Sequence, residues 1–224
     1  KINIKDYIEV NSAISLGTNS NMTSYNSVTD KYGSNIIGIA LSGGNSNGLP
    51  VIINGETLEQ EATNKGKMTF GDNSAGIFVA DGASALNNGK ISLGKSSVGI
   101  YGKGTGTNVS NSGEINIKDE SIGLFLNNGG NISNSGNIES TGNKTVGIYS
   151  DTVNNSNIIN TGNIKLTGDR TIGAYITGTG NQKFENTGNI ITGSSTDHLD
   201  PSIGIYNNTS SGTILNEGLI SVKD

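Results

Sequence analysis

The sequence predicts an all-β chain: a right-handed parallel β-helix, or β-solenoid, with three short strands and about 24 residues per coil. Three observations predict it. An N-x-G motif followed by alternating apolar residues recurs at Asn64-Gly66, Asn87-Gly89, Asn111-Gly113, Asn134-Gly136, Asn160-Gly162, Asn186-Gly188 and Asn216-Gly218. A second motif, apolar-Gly-apolar-aromatic, alternates with the first at Ala75-Phe78, Val98-Tyr101, Ile122-Phe125, Val146-Tyr149, Ile172-Tyr175 and Ile203-Tyr206; Ile37-Ala40 is an earlier copy without the aromatic. Period-2 patterning punctuated by Gly and Asn fills the space between, and no segment keeps a helical period.

One coil, taken in order, gives the element reading. Val109 ends a strand, and Asn111-Ser112-Gly113 turns the chain. Ile115 and Ile117 share the parity of Val109 and form the inner face of the next strand. Lys118-Asp119-Glu120-Ser121 is a polar corner, Ile122-Gly123-Leu124-Phe125 the third strand, and Asn127-Asn131 another corner before Ile132 opens the next coil. A propeller blade needs four strands and about 40 residues or more, and a leucine-rich repeat carries a different signature. Seven or eight coils stacked at about 4.8 Å make a rod on the order of 35–40 Å long.

The chain reads as a single β-helical segment, 1–224, and the period breaks in three places: about 5–35, 43–60 and 192–202. Each is read as a loop insertion projecting from the stack, where binding residues concentrate. A short helix is allowed only before Ile37 or around Glu56-Ala62. Ile2 and Ile4 match the Ile-x-Ile strand, as do Ile220 and Val222, so the chain reads as a piece of a longer solenoid.

Composition fits a thin apolar rod better than a thick core. Hydrophobic residues other than glycine make up 32%, so the apolar share of about 45–50% that ordinary domains reach counted with Gly is met here only through glycine rather than by large side chains. Glycine contributes 34 residues and cysteine none, so thiol chemistry, disulfides and Cys-based metal sites are excluded. The net charge is -5 without a basic run, which makes nucleic acid and anionic membrane poor partners. No stretch approaches the 18 or so consecutive apolar residues of a spanning helix.

The alternation of N-x-G-[NEK]-I with [IV]-G-[IL]-[YF] resembles the passenger domains of type V autotransporters, most closely the large Asn/Gly-rich fusobacterial adhesins. The resemblance covers almost the whole chain outside the three insertions. It implies a signal peptide, a long β-helical passenger and a C-terminal outer-membrane barrel in the parent protein, of which this chain matches the passenger. It also implies a secreted, surface-exposed location. The implied partners are a host-cell receptor, a glycan or another bacterium.

The residues that could carry chemistry divide into columns and loops. Asn64, Asn87, Asn111, Asn134, Asn160, Asn186 and Asn216 occupy one position in successive coils, and stacking predicts a structural ladder rather than a recognition stripe. Phe78, Tyr101, Phe125, Tyr149, Tyr175 and Tyr206 form a second column of opposite parity to the core. This aromatic stripe either stacks on itself or presents rings to sugars and proteins, and self-stacking is favoured. The insertions supply the candidate binding residues Tyr25, Tyr32, Asp197, His198 and Asp200.

His198 has Ser194, Ser195, Ser202 and two aspartates nearby in sequence, but a triad is a matter of geometry, and a solvated loop is the expectation. One histidine without a ligand cluster predicts no metal site, and Gly43-Gly44-Asn45 and Gly129-Gly130-Asn131 lack the Asp of calcium-binding repeats. No cofactor is expected. A β-helical polysaccharide-degrading enzyme is the catalytic alternative. It needs two carboxylates at one site, and Asp119, Glu120, Asp151 and Asp169 stand isolated, with Arg170 the only arginine. The expectation is a non-catalytic adhesin segment; a purely structural spacer is the other alternative.

Overall fold

The computed structural model describes residues 12–16, 24–26, 29–42, 52–53, 56–57 and 61–223. They form a β-solenoid of parallel strands with no helix, at roughly 26 residues per turn. Three faces run along it. The first stacks Ser12–Leu16, Ile37–Ser42, Ala75–Ala80, Val98–Lys103, Ile122–Asn127 and Val146–Asp151. The second stacks Ser24–Asn26, Glu61–Asn64, Ser84–Asn87, Asn108–Asn111, Gly130–Asn134 and Ser156–Asn160. The third stacks Thr29–Lys31, Lys67–Thr69, Lys90–Ser92, Glu114–Ile117, Asn137–Ser140, Asn163–Leu166, Asn189–Thr192 and Leu219–Val222. In the last two coils the first and second faces merge into the long strands Ile172–Asn186 and Ile203–Asn216.

The sequence repeat is the coil repeat. Successive ladder asparagines are separated by 23, 24, 23, 26, 26 and 30 residues. The early copies set the expected period of 24, and the later coils are longer. The 30-residue interval contains 192–202, where extra chain leaves the stack between Asn189–Thr192 and Ile203–Asn216.

Within 5–35, expected to be an insertion, the described strands belong to a further coil instead. Ser12–Leu16, Ser24–Asn26 and Thr29–Lys31 pair in parallel with the next coil on each of the three faces. The register sets Ser12-Ala13-Ile14 against Ile37-Gly38-Ile39. Ala13 replaces the repeat glycine, so the motif is lost while the pairing persists. The segment 43–60 does interrupt the stack: its described part is an antiparallel pair, Ile52–Ile53 with Glu56–Thr57, outside the three faces. Neither region expected to allow a helix contains one among the described residues.

Inside the coils the packing is columnar. Ile77, Ile100, Leu124 and Ile148 on the first face are fully buried, as are Ile91, Ile115, Ile138, Ile164 and Ile190 on the third. Each such burial contributes about 1.5–3 kcal/mol. From Ile37–Ser42 onward, the glycine of each first-face strand makes the cross-section narrow enough for these columns to meet. A Cβ at Gly123 would lie 2.6 Å from Cγ2 of Ile138 and 2.6 Å from the carbonyl oxygen of Gly147. Volume is also traded within a coil. Phe184 is fully buried where the preceding coil has Ile158, and Ala174 stands opposite in the column where that coil has Ile148.

The corner between the third and first faces is built from a repeated left-handed residue. Asn35, Asn73, Ser96, Glu120, Lys144 and Arg170 all have φ between 51° and 61°. Each aims its backbone N–H at the next coil's corner, as Ser96 does to Asp119 O and Glu120 to Asn143 O, both at 2.9 Å. The following residue begins a buried hydroxyl ladder. Ser97 N donates to Ser121 Oγ and Ser74 N to Ser97 Oγ, each at 3.0 Å. The left-handed residue stays near the surface, and the hydroxyl residue that follows it, from Ser74 to Thr171, is buried with its polar groups turned to the neighbouring coils.

Candidate functional site

The asparagine column faces inward, as its parity predicts. Asn64, Asn87, Asn111, Asn134, Asn160 and Asn186 are at most 1% exposed. Each donates from Nδ2 to Oδ1 of the next, at 2.6–2.8 Å, from Asn64 through to Asn216. The same Nδ2 reaches the carbonyl of the turn glycine two residues on, such as Asn134 to Gly136 O at 3.4 Å. The asparagine's own carbonyl accepts two N–H groups from the next turn: Ser135 and Gly136 both bond to Asn111 O. These side chains are consumed by the stack and present no recognition surface. Asn216, in the last coil, is the exposed member of the column.

The aromatic column faces outward and stacks on itself. Ring centroids from Phe78 to Tyr206 follow one another at 4.7–5.3 Å, with Tyr101–Phe125, Phe125–Tyr149 and Tyr175–Tyr206 near parallel. Phe78–Tyr101 and Tyr149–Tyr175 meet edge to face; where the stacking is parallel, on both sides of Phe125, the ring faces are covered and cannot take a sugar. Burial pushes the phenol pKa values of Tyr101 and Tyr149 up. Tyr206 ends the stack and is 36% exposed.

The candidate loop residues separate into different environments. Asp197, His198 and Asp200 are exposed in 192–202. Asp197 Oδ1 accepts from Leu199 N at 2.9 Å, and Ser195 Oγ donates to the carbonyls of Asp200 and Asp197. Ser202 Oγ donates to Ser194 O. The serine hydroxyls therefore organise the loop backbone, and no bond joins any of them to His198. Arg170 reaches into the loop from the left-handed corner, 3.0 Å from Asp169 Oδ2 and 3.8 Å from Asp200 Oδ2, and so ties it to the stack. Leu199, 95% exposed, stands at the loop's tip.

Tyr32 is not a loop residue available to a partner. Its ring stacks on buried Phe70 at 4.7 Å and packs against the core, because 29–31 is a strand of the third face rather than part of an insertion. Tyr25 lies in the strand Ser24–Asn26, and its side chain is outside the described residues. Asn26 pairs in register with Asn64, which places it at the ladder position of the first coil.

The sequence reading missed a groove on the outside of the third face. It has a volume of about 490 Å³ and crosses four consecutive strands, with Lys90, Lys118, Glu139, Thr141 and Lys165 among its lining residues. Lys90 Nζ donates to Glu114 Oε1 at 2.5 Å, and with the Asn116 amide it holds the Glu114 carboxyl below its ordinary pKa. Asp119, at the adjoining corner, is likewise lowered, first by the backbone N–H of Asn143 and then by Lys95. Lys118, Glu139, Thr141 and Lys165 are exposed and make no side-chain hydrogen bond or ion pair with the described residues. The groove carries no periodic signature, because successive coils place different residues there.

Among the described residues no three His, Asp or Glu side chains converge. No family model, curated protein or solved structure matches the chain.

Proposed function

We propose that this chain is a segment of the passenger of a bacterial surface autotransporter adhesin. In this reading it is displayed outside the outer membrane by a barrel elsewhere in the parent protein. It attaches to a host-cell receptor, a glycan or a partner bacterium without catalysing a reaction. The observation that carries this reading is the division of labour in the stack. Three buried or half-buried ladders stack along the rod and stiffen it, while the longest departures from the period fall between strands, at 43–60 and 192–202. A stiff rod that displays loops suits adhesion. The repeat motifs supply the autotransporter resemblance, and the solenoid is the architecture that resemblance implies.

Attachment of the purified segment to host cells, glycan arrays and partner bacteria tests the reading. Two variants should accompany it, one lacking 43–60 and one lacking 192–202. Attachment by the parent segment that falls in either variant is the expected result. Turnover of a polysaccharide by the segment would overturn it, and no attachment to any of the three surfaces would leave the spacer reading in its place.

A further inference from the structure

We propose that the groove on the third face binds an acidic glycan, with a sugar carboxylate held between Lys118 and Lys165. This rests on the adhesive reading and names a ligand class for it. The groove crosses four strands, so it is about 14 Å long at about 4.8 Å per interval. That accommodates a short oligosaccharide. Lys118 follows the strand Glu114–Ile117, and Lys165 lies in Asn163–Leu166, two coils further on. They stand about 10 Å apart along the rod by that spacing, a gap that two flexible lysine side chains close around one carboxylate. Glu139 and Thr141 come from the strand between them and its corner.

The chemistry of the lining selects the ligand. The chain as a whole carries a charge of -5, yet three lysines and one glutamate line the groove. Counting Glu114, which holds Lys90, a positive excess remains. A local excess of this sign in an acidic protein draws in an anion. The excess is small, and Glu139 sits within it, which opposes a densely charged polyanion. A saccharide with one carboxylate among many hydroxyls meets both requirements: the carboxylate faces the lysines, and hydroxyls donate to Glu139 and exchange hydrogen bonds with Thr141. None of Lys118, Lys165, Glu139 and Thr141 makes a side-chain hydrogen bond or ion pair with the described residues, so no such contact must break on binding; the Asp119 carboxylate, which Lys118 helps to hold ionised, is already paired with Lys95.

Titration of the segment with sialyllactose and with trigalacturonate tests this, using lactose as the neutral control and hexaglutamate as an acidic peptide. At least one acidic saccharide should bind with a Kd below about 1 mM, more tightly than lactose. Lys118→Ala and Lys165→Ala should each weaken it about tenfold, with the far-UV circular dichroism spectrum unchanged because both side chains are exposed. Lactose binding as well as the acidic saccharides, tighter binding of hexaglutamate, affinity untouched by both substitutions, or no saccharide binding at all would each overturn the assignment. Attachment of the segment to cells without saccharide binding would remove the groove proposal and leave adhesion standing. Saccharide binding without attachment to any cell would do the reverse.

Discussion

Asn134→Asp should unfold the solenoid near neutral pH and spare it in mild acid. Asn134 is fully buried at the middle of the ladder. Its Oδ1 accepts from Asn111 Nδ2 at 2.8 Å, and its Nδ2 donates to Asn160 Oδ1 at 2.7 Å and to Gly136 O. A carboxylate keeps the first bond and loses the other two, so it faces two acceptors across a dry interior. An unpaired buried charge costs about 3–5 kcal/mol. Asn134→Ala removes all three bonds without adding a charge and should cost about 1–3 kcal/mol. The protonated acid can donate to Asn160, so burial raises the folded pKa above the unfolded value of about 3.9. The Asp variant is then most stable below that unfolded value, and it loses stability as pH rises through the folded one. Denaturant melts of wild type, Ala and Asp variants from acid to neutral pH measure this. An Asp variant whose stability tracks the wild type across that range would place the ladder in water.

Gly136→Ala should destabilise by more than about 3 kcal/mol, although alanine is usually the milder residue. A Cβ there would lie 2.2 Å from Gly113 O and 2.6 Å from Ser112 C, and both are backbone atoms of the preceding turn. No side chain can rotate away. The coil must move, and the 2.8 Å bond from Asn137 N to Gly113 O goes with it. The same contact recurs at Gly113 and Gly162, so the requirement belongs to the stack rather than to one turn. A melting temperature within error of wild type would show that the coils are not packed this closely.

What the sequence makes legible is what the stack repeats. Asn87 to Asn186 and Phe78 to Tyr206 are each one position copied coil by coil, so spacing alone assigns them to ladders and parity assigns their sides. A shorter hydroxyl ladder runs through Ser74, Ser97 and Ser121. It is hard to recognise because serine beside a corner reads as an ordinary turn residue until the neighbouring coil supplies its partner. The first coil escapes for the opposite reason. Ser12–Leu16 keeps the strand without the glycine, since pairing needs only backbone, while the motif is recognised by its glycine, and Ala13 stands in that place. Tyr32 follows from the same slip: assigned to a loop, it reads as a binding residue, and assigned to a strand end, it is the neighbour of Phe70. The groove is hard to find by repeat analysis because its charges do not repeat: Glu139 and Lys165 share one register position with opposite charge, Lys118 follows a different strand, and only stacking brings them together.

Side-chain amide exchange reads the ladder directly, and the ladder holds the coils in register. The Nδ2 protons of Asn87, Asn111, Asn134 and Asn160 lie at 0–1% exposure, each bonded to the next coil. In an NMR exchange experiment on the intact segment they should be protected to the same degree as the backbone amides of the strands that carry them. The exposed amides of Asn137 and Asn163 should exchange far faster. Equal, fast exchange at all six asparagines would contradict a solenoid held by a buried asparagine ladder.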